Sequence, residues 1–147
     1  MIQRIQTIYI LIAGVLIASL LKLKLADIAV NDDLMELLST GIMKGEDIVY
    51  NGLPIFILIS IITLLHVAAV LLYKRRIIQI RILVFTIILL LGLFGLIFYF
   101  TYSGFKDAEV AFKIPVAFPI VAIILDWLAI RSIGRDEALV RSLDRIR

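Results

Sequence analysis

Two titratable side chains lie inside long apolar stretches of this sequence, His66 and Asp126, and His66 is the single histidine of the chain. A charged group at the centre of a membrane span costs roughly 2.5–3.5 kcal/mol on insertion scales, so each is expected to face other helices and to find polar neighbours there. Counted by helix rise from the ends of their runs, His66 lies ~12 Å and Asp126 ~7 Å from the side where Lys74 and Arg131 stand. Gln3, Arg4 and Gln6 stand at the same side, at the mouth of the first run. The expectation is a polar cluster in which Asp126 pairs with Arg4 while the glutamines or His66 complete it. Thr63, one turn from His66, is another partner for the ring. Such a cluster fixes helix register or, as the alternative, relays a proton or an ion.

Other chemistries find little to work with. The chain has no cysteine, which removes disulfides, thiolate metal sites and a thiol nucleophile together. It has no H-E-x-x-H, no phosphate-cradling glycine loop and no G-x-S-x-G elbow. Asp32, Asp33, Glu36, Glu46 and Asp47 lack the spacing that wraps a calcium ion and read as a solvated acidic rim. No catalytic, cofactor-binding or metal-ligating set emerges; the expectation is a non-enzymatic protein, with intramembrane lipid chemistry by Asp126 and Arg4 as the weakest alternative.

The elements that must position His66 and Asp126 follow from composition. Hydrophobic residues make up 63% of the 147 positions, with a mean hydropathy of +1.10, which excludes an ordinary soluble domain. Charge is gathered into short stretches. Between them lie uncharged runs over residues 5–21, 48–73, 82–105 and, interrupted only by Asp126, 114–130. A membrane helix needs roughly 17–25 apolar residues, so all four qualify as spans. Segment 74–81 carries Lys74, Arg75, Arg76 and Arg81 without an acid, whereas loop 22–47 sets three lysines against six acids. The positive-inside rule then puts both termini and the middle loop in the cytoplasm and loop 22–47 outside. No A-x-A pair follows Leu21, so the first run reads as an uncleaved span.

The expected fold is therefore all-α: one membrane domain over residues 1–147, a four-transmembrane-helix bundle. Gly14 with Ala18, Gly92 with Gly95, and Ala122 with Ala129 offer close helix packing. Pro54 and Pro119 are expected to bend the starts of their spans, and Pro115 to sit in a first turn. The alternation Leu21 to Leu25 and the β-branched residues at Ile28–Val30 and Asp47–Tyr50 suggest a small extracytoplasmic β element, with a helical turn near Leu34–Leu38. In the tail, residues 131–147, Leu139, Leu143 and Ile146 recur at helical spacing opposite Glu137, Arg141 and Asp144. This predicts a separate amphipathic helix after a turn at Ser132 or Gly134. Its arginines, Arg131, Arg135, Arg141 and Arg145, with the stripe Leu139, Leu143 and Ile146, form a surface for anionic lipid or a protein partner. Alternating signs and no aromatic residue argue against nucleic acid.

The start Met1-Ile2-Gln3-Arg4-Ile5-Gln6 and the end Asp136-Glu137-Ala138-Leu139-Val140-Arg141-Ser142-Leu143-Asp144-Arg145-Ile146-Arg147, with Asp126 and Arg131 between, carry a resemblance. They resemble an uncharacterised family of small four-span inner-membrane proteins of Bacteroidota, a domain of unknown function. The resemblance implies topology and a bacterial inner membrane and carries no activity. On these grounds the expected role is a non-enzymatic scaffold or accessory subunit working through its cytoplasmic face. The alternative is a small oligomeric transporter or channel in which Asp126 and His66 relay a proton or ion.

Overall fold

The computed structural model describes residues 2–30, 33–103 and 109–144, with side chains placed for residues 5–30, 33–102 and 109–138. Four helices pack side by side: α1 (Ile2–Ser19), α2 (Leu53–Leu71), α3 (Arg76–Ser103) and α4 (Phe118–Asp144). Their buried positions alternate in steps of four and three. On α1 and its end these are Gln6, Ile10, Ala13, Ile17 and Leu20, and on α2 Ile55, Ile59, Ile62, His66 and Ala69. On α3 they are Gln79, Leu83, Thr86, Leu90, Leu93, Ile97 and Phe100, and on α4 Ala122, Asp126, Ala129 and Ile133. This spacing keeps one narrow seam of each helix turned toward its neighbours along its whole length.

The outward faces are apolar as well. Val15, Leu64, Leu71, Ile88 and Leu91 are exposed although large and aliphatic. Helices apolar all round have lipid as their natural solvent. Among the described residues, three helices are long and apolar enough to cross a membrane, Leu53–Leu71, Arg76–Tyr102 and Ile114–Ala138, while Ile5–Ser19 is apolar but shorter.

A five-stranded antiparallel sheet in the order β4-β3-β2-β1-β5 covers one end of the helices. Its strands are β1 (Ala26–Val30), β2 (Asp33–Leu38), β3 (Gly41–Lys44), β4 (Asp47–Asn51) and β5 (Glu109–Phe112). Alternation assigns the faces. Ala26, Ile28, Met35, Leu37 and Ile42 are buried in the same cluster as Ile17, Ile55, Leu93 and Val116, so this face lies on the helix ends. The other face carries the ion pairs Lys24–Glu36 and, at 2.6 Å, Lys113–Asp27, while Lys44–Asp33 at 2.6 Å is in phase with Ile42 and Met35 and lies at the exposed rim of the inner face. Gly41 is required where β3 meets β4, because it has φ +142° and a Cβ there would lie 2.1 Å from the carbonyl oxygen of Tyr50.

The architecture is thus mixed α/β, which corrects the all-α four-transmembrane-helix bundle expected from hydropathy. Most of loop 22–47 is strand, and β2 replaces the helical turn expected at Leu34–Leu38. The second run does not start as helix at Ile48. Residues Asp47–Asn51 are strand, and α2 begins at Leu53, where Asn51 Oδ1 accepts the Leu53 N–H at 2.9 Å and Pro54 occupies the first turn without loss of a bond. Pro119 likewise falls in the first turn of α4 and does not bend a span, because a 3-10 turn over Ile114–Ala117 precedes it. The tail has no turn at Ser132 or Gly134, for α4 runs unbroken to Asp144. Gly92 and Gly95 are not packing notches, since a Cβ on either would meet nothing within 4 Å.

Candidate functional site

Seam spacing carries His66 and Asp126 to the same level. On α2, His66 falls between Ile62 and Ala69. On α4, Asp126 falls between Ala122 and Ala129, and on α3 the buried Thr86 falls between Leu83 and Leu90. Ile62, Leu90 and Ala122 belong with Ala13 to the large apolar cluster under the sheet. Ala69, Leu83 and Ala129 belong with Ile10 to a second cluster toward the other end. One polar layer is therefore pressed between two apolar ones. On α1 the chain meets this layer with Gly14, where a Cβ would come within 3.0 Å of the His66 Cβ, so α1 and α2 touch closely here.

Within the layer, His66 Nε2 lies 3.3 Å from Asp126 Oδ1, with the two side chains 2% and 0% exposed. The ring is held from its other side by a contact of 2.9 Å between Nδ1 and the carbonyl oxygen of Ile62. The Nε2–Oδ1 approach is close enough for strong electrostatic interaction but is not aligned as a directed hydrogen bond, and neither carboxyl oxygen of Asp126 has another partner among the described residues. The hydroxyls nearby are committed to their own helices. Thr63 donates to Ile59 O at 2.8 Å and Thr86 to Ile82 O at 2.9 Å, so Thr63 does not serve His66.

The expected cluster is regrouped. Asp126 meets His66 and not Arg4, whose side chain, like that of Gln3, lies outside the described residues. Gln6 is buried but donates to Asp136 Oδ2 at 2.7 Å, about three turns nearer the far end of α4. A residue not foreseen, Gln79, donates to the carbonyl of Ala69 at 3.0 Å and ties α3 to α2. At the end away from the sheet, Arg76 approaches Glu137 at 3.8 Å and Arg131 stacks over Trp127 at 5.5 Å. A depression of about 640 Å³ there is walled by Lys74, Arg75, Arg76 and Glu137. Arg135 is exposed on α4, two residues before Glu137. The side chains of Leu139, Arg141, Leu143, Arg145 and Ile146 lie outside the described residues.

The family model for a domain of unknown function, DUF4293, matches residues 2–146. The chain belongs to the DUF4293 family. The match takes in both termini whose residues carry the resemblance, together with all four helices and the sheet. No curated protein and no solved structure is significantly similar to the chain. DUF4293 membership therefore brings no activity, and function has to be argued from the geometry above.

Proposed function

We propose that this DUF4293 protein is a multi-pass integral membrane protein that serves as a non-enzymatic scaffold or accessory subunit, engaging anionic lipid or a partner at its basic end. The observation that carries the reading is the shape of that end. Lys74, Arg75 and Arg76, at the turn between α2 and α3, wall a depression completed by Ile77 and Ile78 of α3 and Glu137 of α4. The helix bearing Glu137 continues past the apolar stretch and is tied back through Gln6–Asp136 and Arg76–Glu137. Three adjacent cations at a membrane boundary attract acidic headgroups, and a helix fastened to them is a rigid arm for a protein contact. By the positive-inside rule this end is cytoplasmic, with the sheet on the outer side of a bacterial inner membrane.

The test is affinity purification of the full chain from native membranes in mild detergent, beside a version ending at Ala138. Specific partners or co-purifying acidic lipid, lost on truncation or on replacing Lys74, Arg75 and Arg76 together, are the expected result. Recovery of neither, with a silent truncation in cells, would overturn the reading. The transporter alternative is less well supported, because apolar clusters lie on both sides of the His66–Asp126 layer. A pH-dependent flux in proteoliposomes, abolished by Asp126→Asn, would restore it.

A further inference from the structure

The contacts of His66 fix where its protons are. A backbone carbonyl only accepts, so the 2.9 Å contact between Nδ1 and Ile62 O requires the hydrogen on Nδ1. In a neutral ring, Nε2 then carries a lone pair, and that lone pair faces Asp126 Oδ1 at 3.3 Å. An ionised carboxylate is also an acceptor only. Two lone pairs facing one another in a dry layer, with a net negative charge and no compensating cation, is the arrangement a low-dielectric interior tolerates least.

No other charge is at hand to relieve it. On α2, α3 and α4 the stretches 55–72, 82–98 and 118–130 contain no titratable residue besides His66 and Asp126, and on α1 the stretch 10–20 contains none. Facing the layer, α1 brings Gly14 and α3 brings Thr86, whose hydroxyl is already committed. A crevice of about 250 Å³ between α1 and α2 reaches the His66 ring, but its walls are otherwise aliphatic apart from Gly14 and Thr63, so it offers no chain of polar groups.

We propose that His66 and Asp126 form a one-proton binding site, in which a single proton, held by Nε2 or by the carboxyl group, keeps the buried pair electrically neutral. The proton is either on the acid, facing Nε2, or on the ring, facing the carboxylate. The couple carries the same total in both forms. It is a holding site and not a conduit: apolar layers lie above and below, and the crevice that reaches the ring is walled almost wholly by aliphatic side chains, so the proton exchanges with water slowly. This inference is independent of the scaffold reading and survives its failure.

The chain itself supplies the means of testing it, since one histidine gives one pair of ring nitrogen signals. The full chain, with ring nitrogens and aspartate carboxyl carbons isotopically labelled, is examined in lipid bilayers by solid-state magnetic resonance. The carboxyl carbon that recouples to Nε2 identifies Asp126 without any substitution. The expected spectrum has a protonated Nδ1 together with either a carboxylic acid beside an unprotonated Nε2 or a carboxylate beside a doubly protonated ring. On transfer to heavy water, this proton should exchange far more slowly than that of a free imidazole. A carboxylate beside a singly protonated ring, a bare Nδ1, or exchange as fast as in free imidazole would each overturn the proposal.

Discussion

At the scale of residues, the His66–Asp126 couple behaves as a unit, and its parts should be worth less than their sum. Replacing only His66 by leucine strands a buried carboxyl and is expected to cost about 3–5 kcal/mol. Replacing only Asp126 by leucine leaves Nε2 unpaired and should cost about 1–3 kcal/mol. The double replacement removes both polar groups from an apolar surrounding and should return to within about 1 kcal/mol of the parent. Reversible unfolding in mixed micelles measures all three; additive costs would mean that the two side chains do not interact. Both residues could be picked out in the sequence as the only acid and the only base within their apolar stretches. Their pairing could not be read so directly, because helix rise from the apparent ends of the runs ranks depth but ignores which way each side chain faces. The buried positions of α2 and α4 share the same alternation of four and three, but because the outward faces are apolar too, residue type does not mark that seam and it shows only in the structure.

At the scale of elements, α4 and the sheet make opposite demands on the chain. In α4, Gly134 lies inside a helix, where it costs about 1 kcal/mol relative to alanine, yet the helix passes through it because Ile133 is buried and Asp136 and Glu137 are both held. Spin labels at the exposed positions Ile124 and Ala138 should therefore report a single narrow distance near 14 residues of helix rise, ~21 Å. A broad or much shorter distance would restore the turn expected from sequence. In the sheet, Gly41→Ala forces a Cβ against Tyr50 O and a strained backbone, the latter alone costing about 1–3 kcal/mol. Amide exchange should accelerate at Ile42 and Tyr50, which pair across β3 and β4, while the middle of α3 stays protected. Strands β1 and β4 were partly legible from the β-branched residues at Ile28–Val30 and Asp47–Tyr50, whereas the alternation over Leu21 to Leu25 falls before the first strand. The fifth strand was not legible, for Glu109–Phe112 is four residues long and owes its conformation to pairing with Ala26–Ala29, which lie far away in the chain.

For the whole molecule, the absence of cysteine makes sidedness measurable with single introduced thiols. Glu36→Cys, on the outer face of the sheet, and Arg135→Cys, at the basic end, should react with a membrane-impermeant reagent from opposite sides of sealed membranes. Labelling of both from one side would exclude the proposed topology. The asymmetry between these ends is also one of construction. The sheet end is stitched by continuous strand pairing, and the basic end by a few isolated polar contacts, Gln6–Asp136, Gln79–Ala69 and Arg76–Glu137.

The pairing of β1 with β5 also sets an order of assembly. During synthesis the chain delivers α1 and the first four strands early, then the α2–α3 hairpin, and only afterwards the strand that covers the free side of β1. The same late segment brings α4, with which α1 makes its most extensive helix contacts. Until the ribosome has passed Phe112, β1 keeps a bare edge, and until α4 has been made α1 lacks its main neighbour. The nascent protein is therefore an open ring whose first and last pieces must meet, and its closure and completion are one event.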